Sequence, residues 1–161
     1  ALNKSRIAFI DVLKKMGGKI KVKKTKTVSG EDVGNIQVSY SLLNAIEIKA
    51  SSSPYLIDEY PILSIAASQA KGVTVMRGLS ELRHKESDRI KSITTNLSKI
   101  GFKVISEKNN ISIKGSNEIQ IIKQKTIKTY DEHTNTMSYI IISITYKNKL
   151  HISFCSKVTM P

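Results

Sequence analysis

The sequence predicts an α/β (α+β) fold built from a repeated helix–strand–strand unit, and three observations carry that expectation. The order helix, strand, strand occurs twice, each time with apolar spacing that changes from the helical period to alternation. The stretches LKKMGGKI (13–20) and LSKIGFKV (97–104) share Leu, Lys, Gly and Lys in register, with a glycine where helix gives way to strand. The chain has 161 residues, 40% hydrophobic and 24% charged, enough to bury one core and too apolar for a disordered segment.

The elements follow in order. Ile7, Ile10 and Leu13 recur at helical spacing in SRIAFIDVLKKMGG, and Gly17-Gly18 ends the run. KIKVKK (19–24) alternates as a strand, and NIQVSY (35–40) and NAIEIKA (44–50) read as two more. After the punctuation SSSP, a second helix is expected from about Glu59 to Ala70, with Pro61 tolerated in its first turn. GVTVMRG (72–78) is a short strand. Residues 87–100 give the clearest helix, with Ile90, Ile93, Leu97 and Ile100 on one stripe and Gly101 as its stop. FKVISEK (102–108) and NISIKG (110–115) form a hairpin. A strand near 119–129, an apolar helix near 135–145 and a last strand at LHISFC (150–155) complete the chain.

Composition limits the function classes. A formal charge of +13 favours anionic partners. The lysines are scattered, however, and the dense cluster KIKVKKTK (19–26) reads as a strand with one wet face. No RGG segment, zinc-finger spacing or aromatic stacking platform accompanies them, so specific nucleic-acid binding is not expected. No run of about 18 apolar residues predicts a membrane span. Asp11 and Lys14 interrupt the first apolar stretch too early for a secretory signal. One cysteine, Cys155, rules out an internal disulfide framework, and the expected location is the cytoplasm.

Arginine is where the chemistry concentrates. Lysine supplies the general surface charge, while the four arginines are Arg6, Arg77, Arg83 and Arg89. A planar guanidinium grips a carboxylate or phosphate through two parallel hydrogen bonds, which an ammonium cannot imitate. In ELRHKESDRI (81–90), Arg83, Lys85 and Arg89 surround a helix start, whose free N–H groups and dipole favour an anion. The competing account is structural: Ser87 caps the helix, Glu86 and Asp88 complement its dipole, and Arg89 pairs with a nearby acid. Asp58, just before the second helix, has the same two readings, as ligand group or as cap. His133 in YDEHTNTM also stands at a helix start. His84 and His151 have no partners at metal-ligand spacing, no Cys/His pairing suggests zinc, and neither GxxxxGK[ST] nor GxGxxG occurs.

Taken together, NKSRIAFIDVLKKMGGKIKV, GEDVGNIQV, LIDEYPILSIAASQAKGVTVMRGLSELRHKESDRI and YDEHTNTMS resemble the bacterial 5-enolpyruvylshikimate-3-phosphate synthase family. The resemblance covers nearly the whole chain. It implies repeated βαβαββ units of an inside-out α/β barrel, here incomplete. Residues 1–161 would form a single partial domain, most of the second of two that close on substrates between them. The implied reaction moves the carboxyvinyl group of phosphoenolpyruvate onto the 5-hydroxyl of shikimate 3-phosphate, in aromatic amino-acid biosynthesis.

By that resemblance Asp58 binds the shikimate hydroxyls and accepts a proton, and Glu86 takes part in proton transfer at the enolpyruvyl carbon. Lys85 contacts shikimate 3-phosphate, Arg89 grips phosphoenolpyruvate, and His133 matches the histidine of the family's D-H-R-I-A-M motif. That motif reads Glu132-His133-Thr134-Asn135-Thr136-Met137 here, so Thr134 replaces an arginine expected on phosphoenolpyruvate. The first domain, with its share of the substrate contacts, is expected on a separate chain or to be lacking. A non-catalytic remnant and a basic binding module on the same scaffold are the alternatives. Asp58 and Glu86 are expected to approach each other across neighbouring helix starts.

Overall fold

The computed structural model describes residues 1–3, 7–84, 87–116, 126–128, 133–145 and 151–153, with backbone alone for 126–128, 133–135, 143–145 and 151–153. Helix α1 (Ala8–Lys15) leads into a hairpin of β1 (Lys19–Val28) and β2 (Glu31–Ser39). The short strand β3 (Glu47–Ile48) is followed by a 3-10 turn over Ala50–Tyr55 and then α2 (Tyr60–Gln69). Strand β4 (Gly72–Met76), a second 3-10 turn (Ser80–Arg83) and α3 (Arg89–Ile100) come next. The hairpin of β5 (Lys103–Glu107) and β6 (Asn110–Gly115) precedes β7 (Thr126–Lys128), α4 (His133–Thr145) and β8 (His151–Ser153).

The four-stranded sheet has the order β3-β4-β6-β5. Strands β3 and β4 run parallel across α2, and β6 is antiparallel to both β4 and β5. Residues 47–115 therefore make one complete βαβαββ unit. Before it stands α1 with β1 and β2, the helix–strand–strand half of such a unit. After it, parallel β7 and β8 flank α4 as a strand–helix–strand half. Among the described residues the three sheets do not join, so the barrel is open, as the resemblance implies.

The repeat is visible in hydrogen bonds. In α1 the Gly17 N–H donates to the Lys14 carbonyl and the Gly18 N–H to Leu13. In α3 the Gly101 N–H donates to Ser98 and the Phe102 N–H to Leu97. These are the same two closing bonds at matching positions. Both require a left-handed residue, met by Gly17 (φ +98) and Gly101 (φ +116). The letters shared by LKKMGGKI and LSKIGFKV are thus the chemistry of one helix stop.

Helices form the interior. Helix α2 buries Tyr60, Pro61, Leu63, Ser64, Ile65, Ala67 and Ser68, which leaves it almost no wet face, and it packs on α1, α3, α4 and β6. Its serines bond within their own helix, Ser64 Oγ to the Tyr60 carbonyl and Ser68 Oγ to Ile65, each at 2.7 Å. Buried hydroxyls are thereby satisfied without breaking the apolar surround. The stripe expected on α3 is buried as read, Ile90, Ile93, Leu97 and Ile100, with Arg89 and Asn96 buried beside it.

Some boundaries differ from expectation. The hairpin strands extend to Val28 and begin again at Glu31, because Ser29 (φ +50) and Gly30 (φ +80) form a two-residue turn matched to strand twist. The strand expected over 44–50 shrinks to Glu47–Ile48, preceded by a single bridge between Asn44 and Lys71. Of the strand expected near 119–129 the described part is Thr126–Lys128, and Cys155 lies outside the described residues.

Tyr60 gives this core a pH dependence. Burial pushes its phenol above the ordinary value of about 10. The resulting stability is fully present below pH 10.0 and is lost as pH rises through the folded-state value, because the unfolded chain gives up the proton first. Urea midpoints should therefore fall more steeply above that pH in the wild type than in Tyr60→Phe. Parallel profiles would contradict the assignment.

Candidate active site

Strands β3 and β4 exit at the same edge of the sheet. The Arg77 N–H donates to the Ile48 carbonyl at 3.0 Å, which ties the two exits together. From there residues 49–59 lead into α2 and residues 77–88 into α3. The carboxyl edge of parallel strands, facing helix N-termini, is where α/β folds gather ligand groups. Farther along the chain, parallel β7 and β8 flank α4, whose first residue is His133. Helix α4 packs on α2 and α3, and Tyr139 Oη donates to the Ser92 carbonyl at 3.5 Å.

Two expected site residues meet here. Arg89 Nη1 lies 2.9 Å from Asp58 Oδ1, joining the starts of α2 and α3 across 31 positions of sequence. The arginine side chain is 6% exposed, whereas the aspartate is 44% exposed. The pair therefore presents its carboxylate to solvent and keeps the guanidinium beneath it. Asp58 is not at the cap position of α2: that residue is Glu59, whose side chain makes no cap hydrogen bond.

The start of α3 corrects a second expectation. Asp88, not Ser87, is the cap, with Oδ1 accepting from the Lys91 N–H at 2.9 Å. Its other oxygen, Oδ2, accepts from Arg83 Nη1 at 3.0 Å. Arg83 also donates through Nη2 to the Lys108 carbonyl. The remaining described arginine, Arg77, donates Nε to Glu47 Oε1 at 2.7 Å. Hydrogen bonding to this guanidinium, and its charge, hold the Glu47 carboxyl below the usual glutamate range. Both groups are about half exposed, so the pair adds little stability.

Arg77, Arg83 and Arg89 thus each engage a carboxylate and tie connecting segments to one another. The sparing use of arginine was the signal in the sequence, and its targets are acids within the chain as well as any substrate. Lys85 and Glu86 lie outside the described residues, so the expected approach of Asp58 to Glu86 does too. The side chains of His133 and Thr134 do likewise.

A separate cavity of about 220 Å³ is lined by Phe9, Leu13, Ile62, Ile65, Ala66 and Ile141, among others. None of the expected site residues forms its wall, and an apolar lining offers nothing to a phosphate. Among the described residues, no helix is long and apolar enough to cross a membrane. No three His, Cys, Asp or Glu side chains there gather as a metal cluster would require.

Comparison with known proteins supplies the family. The EPSP synthase (3-phosphoshikimate 1-carboxyvinyltransferase) family model matches residues 1–161. The chain is 38% identical over 162 aligned positions to a 3-phosphoshikimate 1-carboxyvinyltransferase of Petrotoga mobilis, covering 99% of this chain and 37% of that protein. The same figures describe its likeness to the Clostridium tetani protein of that name. A solved structure of EPSP synthase from Acinetobacter baumannii superposes with a TM-score of 0.81 at 33% identity, over 86% of this chain and 32% of the other. The enolpyruvyl transferase NikO from Streptomyces tendae shares the fold alone, with a TM-score of 0.58 at 15% identity. The chain spans little more than a third of the length of these curated relatives. Sequence, repeat architecture and structural likeness agree, and this chain belongs to the EPSP synthase family.

Proposed function

We propose that the chain supplies one wall of an enolpyruvyl transferase site, which moves the carboxyvinyl group of phosphoenolpyruvate onto the 5-hydroxyl of shikimate 3-phosphate. The observation that carries this reading is the Asp58–Arg89 pair, a half-exposed carboxylate held by a buried guanidinium where two helix starts meet. A carboxylate fixed in this way is suited to orient a sugar-like diol and to take the proton of the attacking hydroxyl. Arg89 sets its position and contributes positive charge beside the substrate anions. In the same reading Lys85 contacts shikimate 3-phosphate, Glu86 takes part in proton transfer at the enolpyruvyl carbon, and His133 is a further substrate-binding residue. Residues 1–161 act as a single partial domain, and no metal or organic cofactor is needed.

Catalysis requires both reactants to be held at once. The complete reaction is therefore assigned to this chain together with the rest of the family's two-domain cleft, in the same polypeptide or a separate one. The working location is the cytoplasm. The test is a chimera in which this chain replaces the matching third of the Petrotoga mobilis synthase. Phosphate release that requires both substrates supports the proposal, whereas a folded chimera without turnover contradicts it.

Thr134 makes a further expectation for that chimera. A threonine cannot supply the charge-assisted pair that an arginine offers a carboxylate or phosphate. Thr134→Arg should tighten phosphoenolpyruvate binding by roughly tenfold or more, measured by calorimetry in the presence of shikimate 3-phosphate. Unchanged affinity would count against that alignment.

A further inference from the structure

We propose that the turn between β5 and β6 is a positioning element for the site, and that Arg83 and Asn110 are its positioning residues. The inference deepens the proposed function and rests on it for the identity of the ligand. Three consecutive residues, Lys108 and Asn109 of the turn and Asn110 at the start of β6, each present one acceptor to the segment between β4 and α3. The Lys108 carbonyl receives Arg83 Nη2, the Asn109 carbonyl receives the Leu79 N–H at 2.7 Å, and Asn110 Oδ1 receives the Gly78 N–H at 3.3 Å. Lys108 adopts φ +50, which bends the turn. On the inner side the same segment is anchored by Leu79 and Leu82, both fully buried.

The consequence reaches Arg89 through one residue. Arg83 bridges the Lys108 carbonyl and Asp88 Oδ2, while Asp88 Oδ1 caps α3 at the Lys91 N–H. Both oxygens of Asp88 are therefore engaged in different directions, which fixes its orientation. Arg89 follows directly, and its guanidinium must enter a buried position to reach Asp58. A small rotation at the cap swings that guanidinium by a displacement that grows with the length of the side chain. The turn is far from Arg89 in sequence but sets the angle at which α3 begins.

The test uses the full chain and two readouts. The first is calorimetric affinity for shikimate 3-phosphate; the second is hydrogen exchange of the Arg89 Nε–H, compared with amides of β1 and β2 as an internal control. Asn110→Leu removes the acceptor and should weaken affinity about tenfold and speed Arg89 exchange at least as much, with the control amides unchanged. Asn110→Asp keeps an acceptor at the same atom and should stay within about twofold of wild type. Should Asn110→Leu fail to fold, Arg83→Met is the second variant, expected to act in the same direction, with Arg83→Lys restoring part of the loss.

Wild-type affinity and exchange in a folded Asn110→Leu or Arg83→Met would overturn the proposal. Equal loss in Asn110→Asp and Asn110→Leu would overturn it as well. A wild-type chain that does not bind shikimate 3-phosphate counts against the proposed function alone, because Arg89 exchange then still decides the positioning role.

Discussion

A single methyl group added at position 78 should cost about 2–4 kcal/mol of stability, through overpacking and a left-handed backbone. Gly78 has φ +74, and a Cβ there would sit 2.6 Å from the Ala50 Cβ and 2.8 Å from the Ala50 Cα. Neither neighbour is the far end of a flexible side chain. Ala50 opens the 3-10 turn that leads to Asp58, so relief requires one of the two strand exits to move. For a chain of this length the penalty corresponds to a fall in Tm of about 5–15 °C. Gly78→Ala should therefore be measured by thermal melting beside Gly30→Ala, where the added Cβ meets nothing within 4 Å and only the backbone penalty applies. Equal losses in the two variants would mean that the strand exits do not pack as described.

Asp58→Asn should lower phosphate release in the chimera by about 10²–10⁴-fold, the usual contribution of a positioned general base. The substitution keeps the shape and a hydrogen-bond acceptor for Arg89, so folding should change little. The stability loss is expected to be about 1 kcal/mol, since charge-assisted bonds contribute more than neutral ones but this carboxylate is half exposed. Turnover and stability therefore separate in this variant. A chimera that keeps at least a tenth of wild-type turnover with Asp58→Asn would remove Asp58 from the base role. A large stability loss with small kinetic change would instead make the pair structural.

The sequence conveyed elements whose two faces differ. Helix α3 was legible because its apolar stripe returns every three or four residues and Gly101 must leave the right-handed region. Helix α2 was legible for another reason, an apolar run opened by proline and too long for a strand. Strands β1 and β2 run further than the sequence pattern predicts, because TKTV (25–28) and EDVG (31–34) each carry a single valine and show no alternation. The 3-10 turn at Ala50–Tyr55 was hidden in small polar residues that suit several conformations.

At the site, sequence identified which residues matter better than what they touch. The choice between Ser87 and Asp88 as cap turns on one position, and both residue types cap well. The pairing of Arg89 with Asp58 depends on β3 and β4 lying side by side, a contact that no local pattern encodes. The contact of Arg83 with the β5–β6 turn is equally non-local, because Lys108 lies 25 positions further along the chain. Where the resemblance supplied roles, the fold supplied the frame: two helix starts at one sheet edge, tied by an ion pair.

The most direct measurement is an amide NMR titration of this chain with shikimate 3-phosphate, with and without phosphoenolpyruvate. One wall of a substrate site predicts saturable shifts clustered at Asp58, Arg89 and the first turns of α2 and α3, with β1 and β2 unaffected. A well-dispersed spectrum with no saturable shifts, or shifts spread over the lysines in proportion to charge, would contradict that account.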